Sequence, residues 1–324
     1  MSAPPKIIVT RRLPGAVEVA LRERFHVEFS AEDRPTNAEA LQRFLGQCDG
    51  LLSTVTDRLT AAVLAAYPLR TRIIANFGVG YDNIDLSAAQ AHDIAVTNTP
   101  DVLTDCTADL AMTLILATMR RAGEGEREIR RGAWSGWRPT HMMGHRVSGK
   151  TLGLVGMGRI ARAVARRAHH GFDMKILCYD PSPPSPVELA KLGAEPRSTL
   201  EELLGESHVV SLHCPSTAAT RGLMNAQRIA QMQRGSFLVN TARGDIVVDD
   251  AVIAALSSGQ LAGAGLDVFK GEPDLDPRYL GLENVVLLPH LGSATVETRT
   301  AMGFRAIENL AAFFDGRTVP DRVA

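Results

Sequence analysis

Short apolar runs alternate with amphipathic helical patterns along nearly the whole 324-residue chain. This alternation is typical of parallel β-sheets whose strands are joined by crossover helices. The candidate strands fall into two successive series. The first is Lys6–Thr10, Val27–Phe29, Gly50–Ser53, Arg72–Asn76 and Ala95–Thr97; the second is Thr151–Val155, Lys175–Tyr179, Val209–His213, Ser236–Asn240, Gly263–Leu266 and Val285–Leu288. We therefore predict an α/β fold with two doubly wound parallel-sheet domains.

The chain that follows His290 is too short to form a domain of its own, so we expect it to fold back onto the first series. The predicted substrate domain is therefore discontinuous and comprises residues 1–99 and 291–324. The predicted dinucleotide-binding domain comprises residues 100–290.

Long helical patterns lie at both junctions between these domains, over Asp105–Arg131 and Ala294–Asp315. Two capping boxes predict further helix starts, one over residues 36–39 beginning at Thr36 and one over residues 198–201 beginning at Ser198.

Composition argues against several classes of function. The formal net charge is −1, so the chain has no basic excess with which to bind nucleic acid or an anionic membrane. Its four cysteines are far apart and form no C-x-x-C pair, which argues against disulfides and structural zinc and fits a reducing compartment. No apolar run has the length of a signal-peptide core or a membrane span. We expect a cytoplasmic enzyme without a metal site.

Residues 151–161 read as a strand, a glycine turn and a helix start. Gly156 permits a tight reversal, and Gly158 lets the backbone approach a pyrophosphate. The helix that follows offers unpaired N–H groups and a positive dipole to that anion. Ala161, at the third position of the motif, still allows close packing of helix on strand. The pattern predicts a dinucleotide site.

Asp180 ends the next predicted strand, 22 residues after Gly158. A carboxylate at this position accepts hydrogen bonds from the adenosine ribose hydroxyls. It also repels a 2′-phosphate, and no Arg or Lys follows before Lys191. NAD(H) is therefore favoured, with NADP(H) as the alternative.

Three later strand ends carry groups suited to the reduction of a keto acid. Arg243 can bind a carboxylate and polarise a neighbouring carbonyl. His290 can donate a proton near neutral pH. Glu272, just beyond another strand end, is placed to orient the His290 ring and keep it protonated.

The sequence resembles the D-isomer-specific 2-hydroxyacid dehydrogenases, most closely their glyoxylate/hydroxypyruvate reductase branch. The matching motifs occur in family order over nearly the whole chain, at residues 77–85, 98–104, 153–158, 212–215, 240–245, 265–269, 271–273 and 289–294. The resemblance implies a flavodoxin-like substrate domain, a Rossmann NAD(P)-binding domain and an interdomain cleft.

The resemblance also implies residue roles. It makes Arg243, Glu272 and His290 the catalytic trio, and assigns substrate binding to Val79, Gly80, Arg243, His290 and Ser293. The positions expected to contact the cofactor are Thr104, Gly156, Gly158, Arg159, Ile160, Asp180, Cys214, Pro215, Thr241, Ala242, Asp267 and Gly292.

Trp134 and Trp137 resemble a tryptophan-containing loop of the reductase branch. In that branch the helical stretch before the loop, here residues 105–131, mediates dimerisation, so a homodimer is implied. The loop favours glyoxylate or hydroxypyruvate as substrate. D-lactate and phosphoglycerate dehydrogenases remain as alternatives, as does an NAD(H)-sensing, corepressor-like protein without turnover.

Overall fold

The computed structural model describes residues 3–324, which form two compact units. Unit 1 comprises the chain up to Leu103 together with Ala294–Ala324, and unit 2 is Thr104–Ser293. Each boundary falls a few residues after the predicted one. Each unit contains one parallel sheet with helices, which confirms the predicted fold class.

The elements follow one another in the alternating order that the sequence predicts. They are β1 (Lys6–Val9), α1 (Gly15–Arg24), β2 (His26–Phe29), α2 (Ala38–Gln47), β3 (Gly50–Thr54), α3 (Ala61–Leu64), β4 (Ile73–Phe77), α4 (Leu86–Ala91), β5 (Ala95–Thr97), α5 (Thr104–Met119), α6 (Ala122–Arg130), β6 (Thr151–Val155), α7 (Arg159–Phe172), β7 (Lys175–Tyr179), α8 (Pro186–Lys191), β8 (Ala194–Pro196), α9 (Leu200–Glu206), β9 (Val209–Leu212), α10 (Ala226–Gln231), β10 (Ser236–Asn240), α11 (Asp249–Ser258), β11 (Leu261–Leu266), β12 (Val285–Leu287) and α12 (Val296–Phe314).

Unit 1 has the strand order β2-β1-β3-β4-β5, the flavodoxin-like order. Both faces of its central strands are buried, as parallel sheets with crossover helices require. One face packs against the returning helix α12, where Ala306 and Leu310 share a cluster with Ile7 and Ile73.

Unit 2 has the order β12-β11-β10-β9-β6-β7-β8. Alternate strand residues face opposite layers of helices. Leu152 and Leu154 pack in one core cluster with α5 and α7, whereas Val155 and Leu212 pack in the other with α9 and α11. The strand order reverses between β6 and β9, and ligands bind beside such a point in open α/β sheets.

The long helical stretch predicted over Asp105–Arg131 is divided between two helices, α5 and α6. Arg121 has a left-handed backbone with φ of 55° and separates α5 from α6. The Met119 carbonyl at the end of α5 accepts a hydrogen bond from His145 N at 2.8 Å. A distant loop therefore terminates α5.

Both predicted helix caps are displaced by one residue, and only the second is a capping box. Asn37 rather than Thr36 caps α2, accepting from Ala40 N at 2.9 Å. Thr199, paired with Glu202, caps α9 instead of Ser198. Strand β8, a three-residue strand at the sheet edge that ends in proline, was not predicted from the sequence.

Candidate active site

The glycine turn follows β6 and leads directly into α7. Gly156 has φ of +89°, and a Cβ there would lie 2.7 Å from the Cys214 backbone nitrogen. Only glycine therefore fits between β6 and the end of β9. A Cβ on Gly158 would meet no protein atom within 4 Å. The open space beside Gly158 fits a ligand that approaches the backbone.

Arg159 and Ile160 are the first two residues of helix α7, and no side chain caps this end of the helix. The first N–H groups of any helix lack intrahelical partners and attract anions. Ala161 is fully buried, which allows the close helix–strand packing that the motif predicts. This helix start is suited to bind a phosphate.

Asp180 follows β7 and is connected to the glycine turn. Its Oδ2 accepts from Met157 N at 2.7 Å, and its Oδ1 accepts from Ser182 N at 2.8 Å. The carboxylate is thus held at the carboxyl edge of the sheet, beside the turn. Carboxylate oxygens have lone pairs for further donors, such as ribose hydroxyls.

Two further predicted cofactor segments, Cys214-Pro215 and Thr241-Ala242, follow strands β9 and β10. Burial raises the pKa of Cys214 to about 11, so this thiol is unsuited to nucleophilic chemistry. The Thr241 hydroxyl oxygen is buried and has no partner among residues 3–324. An unpartnered buried hydroxyl at this edge is available to a bound molecule.

Glu272 and His290 are in direct contact. His290 Nδ1 and Glu272 Oε2 are 2.8 Å apart, and Glu272 Oε1 accepts from Phe269 N at 2.8 Å. Burial acts to raise the pKa of Glu272. The hydrogen bond from His290 and the charges of His290 and Arg243 outweigh it and hold that pKa below its usual range. Glu272 is therefore an ionised group that fixes the His290 ring.

The backbone also holds His290 in place. Its φ is +56°, a region that non-glycine residues seldom occupy. His290 N donates to the Asp267 carbonyl oxygen at 2.9 Å. Because Nδ1 faces Glu272, Nε2 is the ring nitrogen left for proton transfer.

Arg243 lies just beyond β10, in a turn that Asn240 stabilises. Asn240 Nδ2 donates to the Arg243 carbonyl at 2.8 Å, and Asn240 Oδ1 accepts from Ala242 N at 3.0 Å. A Cβ on Gly244 would overlap the backbone at Phe269, so this turn packs closely on the segment that leads to Glu272. This role of Asn240 was not predicted, although an amide side chain at a strand end is a signal for such a turn.

Asp267 is 1% exposed and accepts from Leu291 N at 2.6 Å and from Gly292 N at 2.9 Å. Burial raises its pKa. Thr107 Oγ1 also donates to the Gly292 carbonyl, at 3.0 Å. In this structure Asp267 organises the segment after His290.

Four further predicted site residues are divided between the two units. Thr104 begins α5 and Ser293 is the last residue of unit 2, whereas Val79 and Gly80 belong to unit 1, in the loop between β4 and α4. Among residues 3–324, no group of three or more His, Cys, Asp or Glu side chains is placed to hold a metal ion. The same residues contain no helix long and apolar enough to span a membrane.

Comparison with known proteins agrees with this geometry. The family model for the D-isomer specific 2-hydroxyacid dehydrogenase NAD binding domain matches residues 112–292. A glyoxylate reductase of Thermococcus kodakarensis is 45% identical over 98% of this chain and 96% of its own length. A glycerate dehydrogenase of Hyphomicrobium methylovorum is 39% identical over 96% of each chain.

A solved structure extends the agreement to three dimensions. The NADPH-dependent glyoxylate/hydroxypyruvate reductase of Sinorhizobium meliloti superimposes with a TM-score of 0.87 at 35% identity, covering 99% of this chain and 97% of that one. These matches confirm the family that the motifs indicate. The chain belongs to the D-isomer-specific 2-hydroxyacid dehydrogenases, enzymes that use a nicotinamide cofactor.

Proposed function

We propose that this enzyme reduces glyoxylate or hydroxypyruvate to the corresponding 2-hydroxy acid, with NADH as the favoured cofactor. The observation that carries the proposal is the His290–Glu272 contact of 2.8 Å, with the charge of Arg243 acting on the same carboxylate. The names of the Thermococcus and Sinorhizobium relatives support the choice of substrates.

In this mechanism Arg243 binds the substrate carboxylate and polarises the adjacent carbonyl. His290 donates the proton on Nε2 to the carbonyl oxygen, and Glu272 stabilises the protonated ring until the transfer. The N–H groups of Val79 and Gly80 bind the carboxylate, and Ser293 contacts the substrate. The carbonyl carbon gains a hydride and its oxygen a proton, which gives the hydroxyl group.

The residues after β6, β7, β9 and β10 fit a dinucleotide. Gly158 and the start of α7 would hold the pyrophosphate, Asp180 the ribose hydroxyls, and Thr241 has a buried hydroxyl without a protein partner. When bound, the nicotinamide supplies the hydride. Thr104, Arg159, Ile160, Cys214, Pro215, Ala242, Asp267 and Gly292 complete the proposed cofactor site.

The electrostatics favour NADH. The negative charge of Asp180 repels a 2′-phosphate. Arg197 follows the neighbouring edge strand β8, but Glu206 and Glu195 hold its guanidinium group. The positive charge of Arg197 is therefore already paired with two carboxylates and does not favour a 2′-phosphate. The Sinorhizobium relative is NADPH-dependent, and assays with both cofactors test this preference.

The proposed enzyme acts in the cytoplasm as a homodimer, with the region of α5 and α6 as its dimerisation surface. Its partners are small 2-oxo and 2-hydroxy acids rather than nucleic acid or membrane.

The test is the loss of nicotinamide absorbance when purified enzyme is mixed with NADH or NADPH and one of glyoxylate, hydroxypyruvate, pyruvate or phosphohydroxypyruvate. We expect the highest kcat/KM with NADH and glyoxylate or hydroxypyruvate. Faster turnover of pyruvate or of the phosphorylated acid would replace the proposed substrate. NADH binding without turnover of any of the four acids would contradict the proposal and favour a sensing role.

A further inference from the structure

The loop that follows β4 has its carbonyl groups held from one side. The Gly78 carbonyl accepts from Thr99 N at 3.0 Å, and the Val79 carbonyl accepts from Asn98 Nδ2 at 2.9 Å. Both donors lie just after β5, the strand beside β4. Two successive peptide groups of the loop are thus fixed by the neighbouring strand end.

Fixing these carbonyls also fixes two N–H groups. A trans peptide points its C=O and N–H in opposite directions. The N–H of Val79 shares a peptide with the Gly78 carbonyl, and the N–H of Gly80 shares one with the Val79 carbonyl. Both N–H groups therefore point away from Asn98 and Thr99. Among the described residues of unit 1, 3–103 and 294–324, no acceptor for either N–H is observed.

The next carbonyl is held in a similar way. Asn76, fully buried at the end of β4, donates from Nδ2 to the Gly80 carbonyl at 2.8 Å. Asn83 Nδ2 lies 3.4 Å from Asn76 Oδ1 and donates to the carbonyls of Thr54 and Asp57. The loop has little freedom to rotate its peptide groups.

Asn98 is itself anchored by the returning chain. It is 8% exposed, and its carbonyl accepts from Asn309 Nδ2 at 3.2 Å. Asn309 Nδ2 also donates to Asp321 Oδ2 at 2.9 Å, and Asp321 N donates to Asn309 Oδ1 at 3.0 Å. Arg305 binds both oxygens of Asp321. The Asn98 amide is therefore a fixed donor.

We propose that Asn98 is a positioning residue for substrate binding: its side-chain amide orients the Gly80 N–H toward the carboxylate of the 2-oxo acid. The proposal rests on the function proposed above, in which the Val79 and Gly80 N–H groups bind that carboxylate. Two adjacent N–H groups whose peptide carbonyls are held by hydrogen bonds form an anion-binding pair.

The test replaces Asn98 by alanine, which removes the amide, and by aspartate, which keeps its shape but removes both donors. We expect the KM for the 2-oxo acid and the Kd for oxamate, a carboxylate analogue titrated calorimetrically in the presence of NADH, to rise about tenfold. The KM for NADH should stay within about twofold, because the dinucleotide residues lie in unit 2.

Asn37→Ala is the matched control. It also removes one amide hydrogen bond in unit 1, the 2.9 Å cap of α2, without touching the loop. It should lower the melting temperature and leave the oxamate Kd unchanged. The positioning role is overturned if either Asn98 variant that folds binds oxamate as tightly as Asn37→Ala does.

The two proposals fail in different ways. A wild-type enzyme that turns over no 2-oxo acid, while its oxamate affinity falls on replacing Asn98, would overturn the proposed reaction alone. A wild-type enzyme that turns over glyoxylate but does not bind oxamate more tightly than the variants would overturn the positioning role alone.

Discussion

Replacing Glu272 by glutamine removes the negative charge beside His290 while keeping the size of the side chain. The ion pair spans 2.8 Å, and its two side chains are 37% and 31% exposed. Unit charges about 4 Å apart attract by about 4 kcal/mol at an effective dielectric constant of about 20. Solvent screening at this exposure reduces that to about 1–2 kcal/mol.

The loss should appear in the reduction reaction, which requires a protonated His290. At neutral pH, kcat/KM for the 2-oxo acid should fall about 5- to 30-fold. Initial rates with NADH and glyoxylate at neutral pH measure this loss.

Glu28→Gln is a suitable control, because Glu28, on strand β2 of unit 1, forms an ion pair with Lys6 on strand β1. Neither residue belongs to the proposed site. It should leave kcat/KM unchanged. If Glu272→Gln keeps the wild-type kcat/KM, Glu272 does not support proton donation by His290.

Three further outcomes are expected. His290→Ala should lose most of its turnover yet bind NADH with unchanged affinity in a fluorescence titration, because the ring supplies a proton rather than a cofactor contact; wild-type turnover would remove His290 from the mechanism. Asp180→Ala should raise the KM for NADH far more than the KM for NADPH, and equal effects on the two cofactors would contradict a ribose contact. Burial lowers the pKa of His213 to about 4, against about 6.5 in the unfolded chain. Between these two pH values the unfolded chain binds the proton and the folded chain does not. The free energy of unfolding therefore falls as pH decreases, by at most about 3 kcal/mol. Urea unfolding at about pH 7 and about pH 5 should show a smaller loss for His213→Gln than for wild type, and equal losses would show that His213 is not responsible.

The features predicted well are those that depend on short stretches of sequence. Strand β6, the glycine turn and the start of α7 are contiguous, so their pattern is complete within about a dozen residues. Arg243, Glu272 and His290 follow successive strands of the sheet, and parallel strands bring their carboxyl ends to one edge. The Glu272–His290 contact could therefore be expected from the sequence.

The features that were missed depend on residues distant in sequence, or on two neighbouring residues that satisfy the same sequence pattern. The break at Arg121 needs His145 to bind the Met119 carbonyl, and no local pattern reports that contact. Both Ser198 and Thr199 have a glutamate three residues later, so only the backbone shows which of them caps α9.

The hydrogen bonds from Asn76 and Asn98 to the loop after β4 were missed for the same reason. Asn76 and Asn98 acquire their partners only when the loop after β4 meets the residues after β5. Strand β8 is short and ends in proline, so its only signal is its pairing with β7.

The composition of unit 1 from two separated segments has a consequence for synthesis on the ribosome. Translation produces β1–β5 first, but α12, which contributes Ala306 and Leu310 to their core, is produced only after all of unit 2. A nascent chain can therefore complete unit 2 while one face of the earlier sheet is still uncovered. During that interval Ile7 and Ile73 are exposed to chaperones or to aggregation, so the rate of elongation through the segment that encodes unit 2 and α12 bears on the yield of active enzyme.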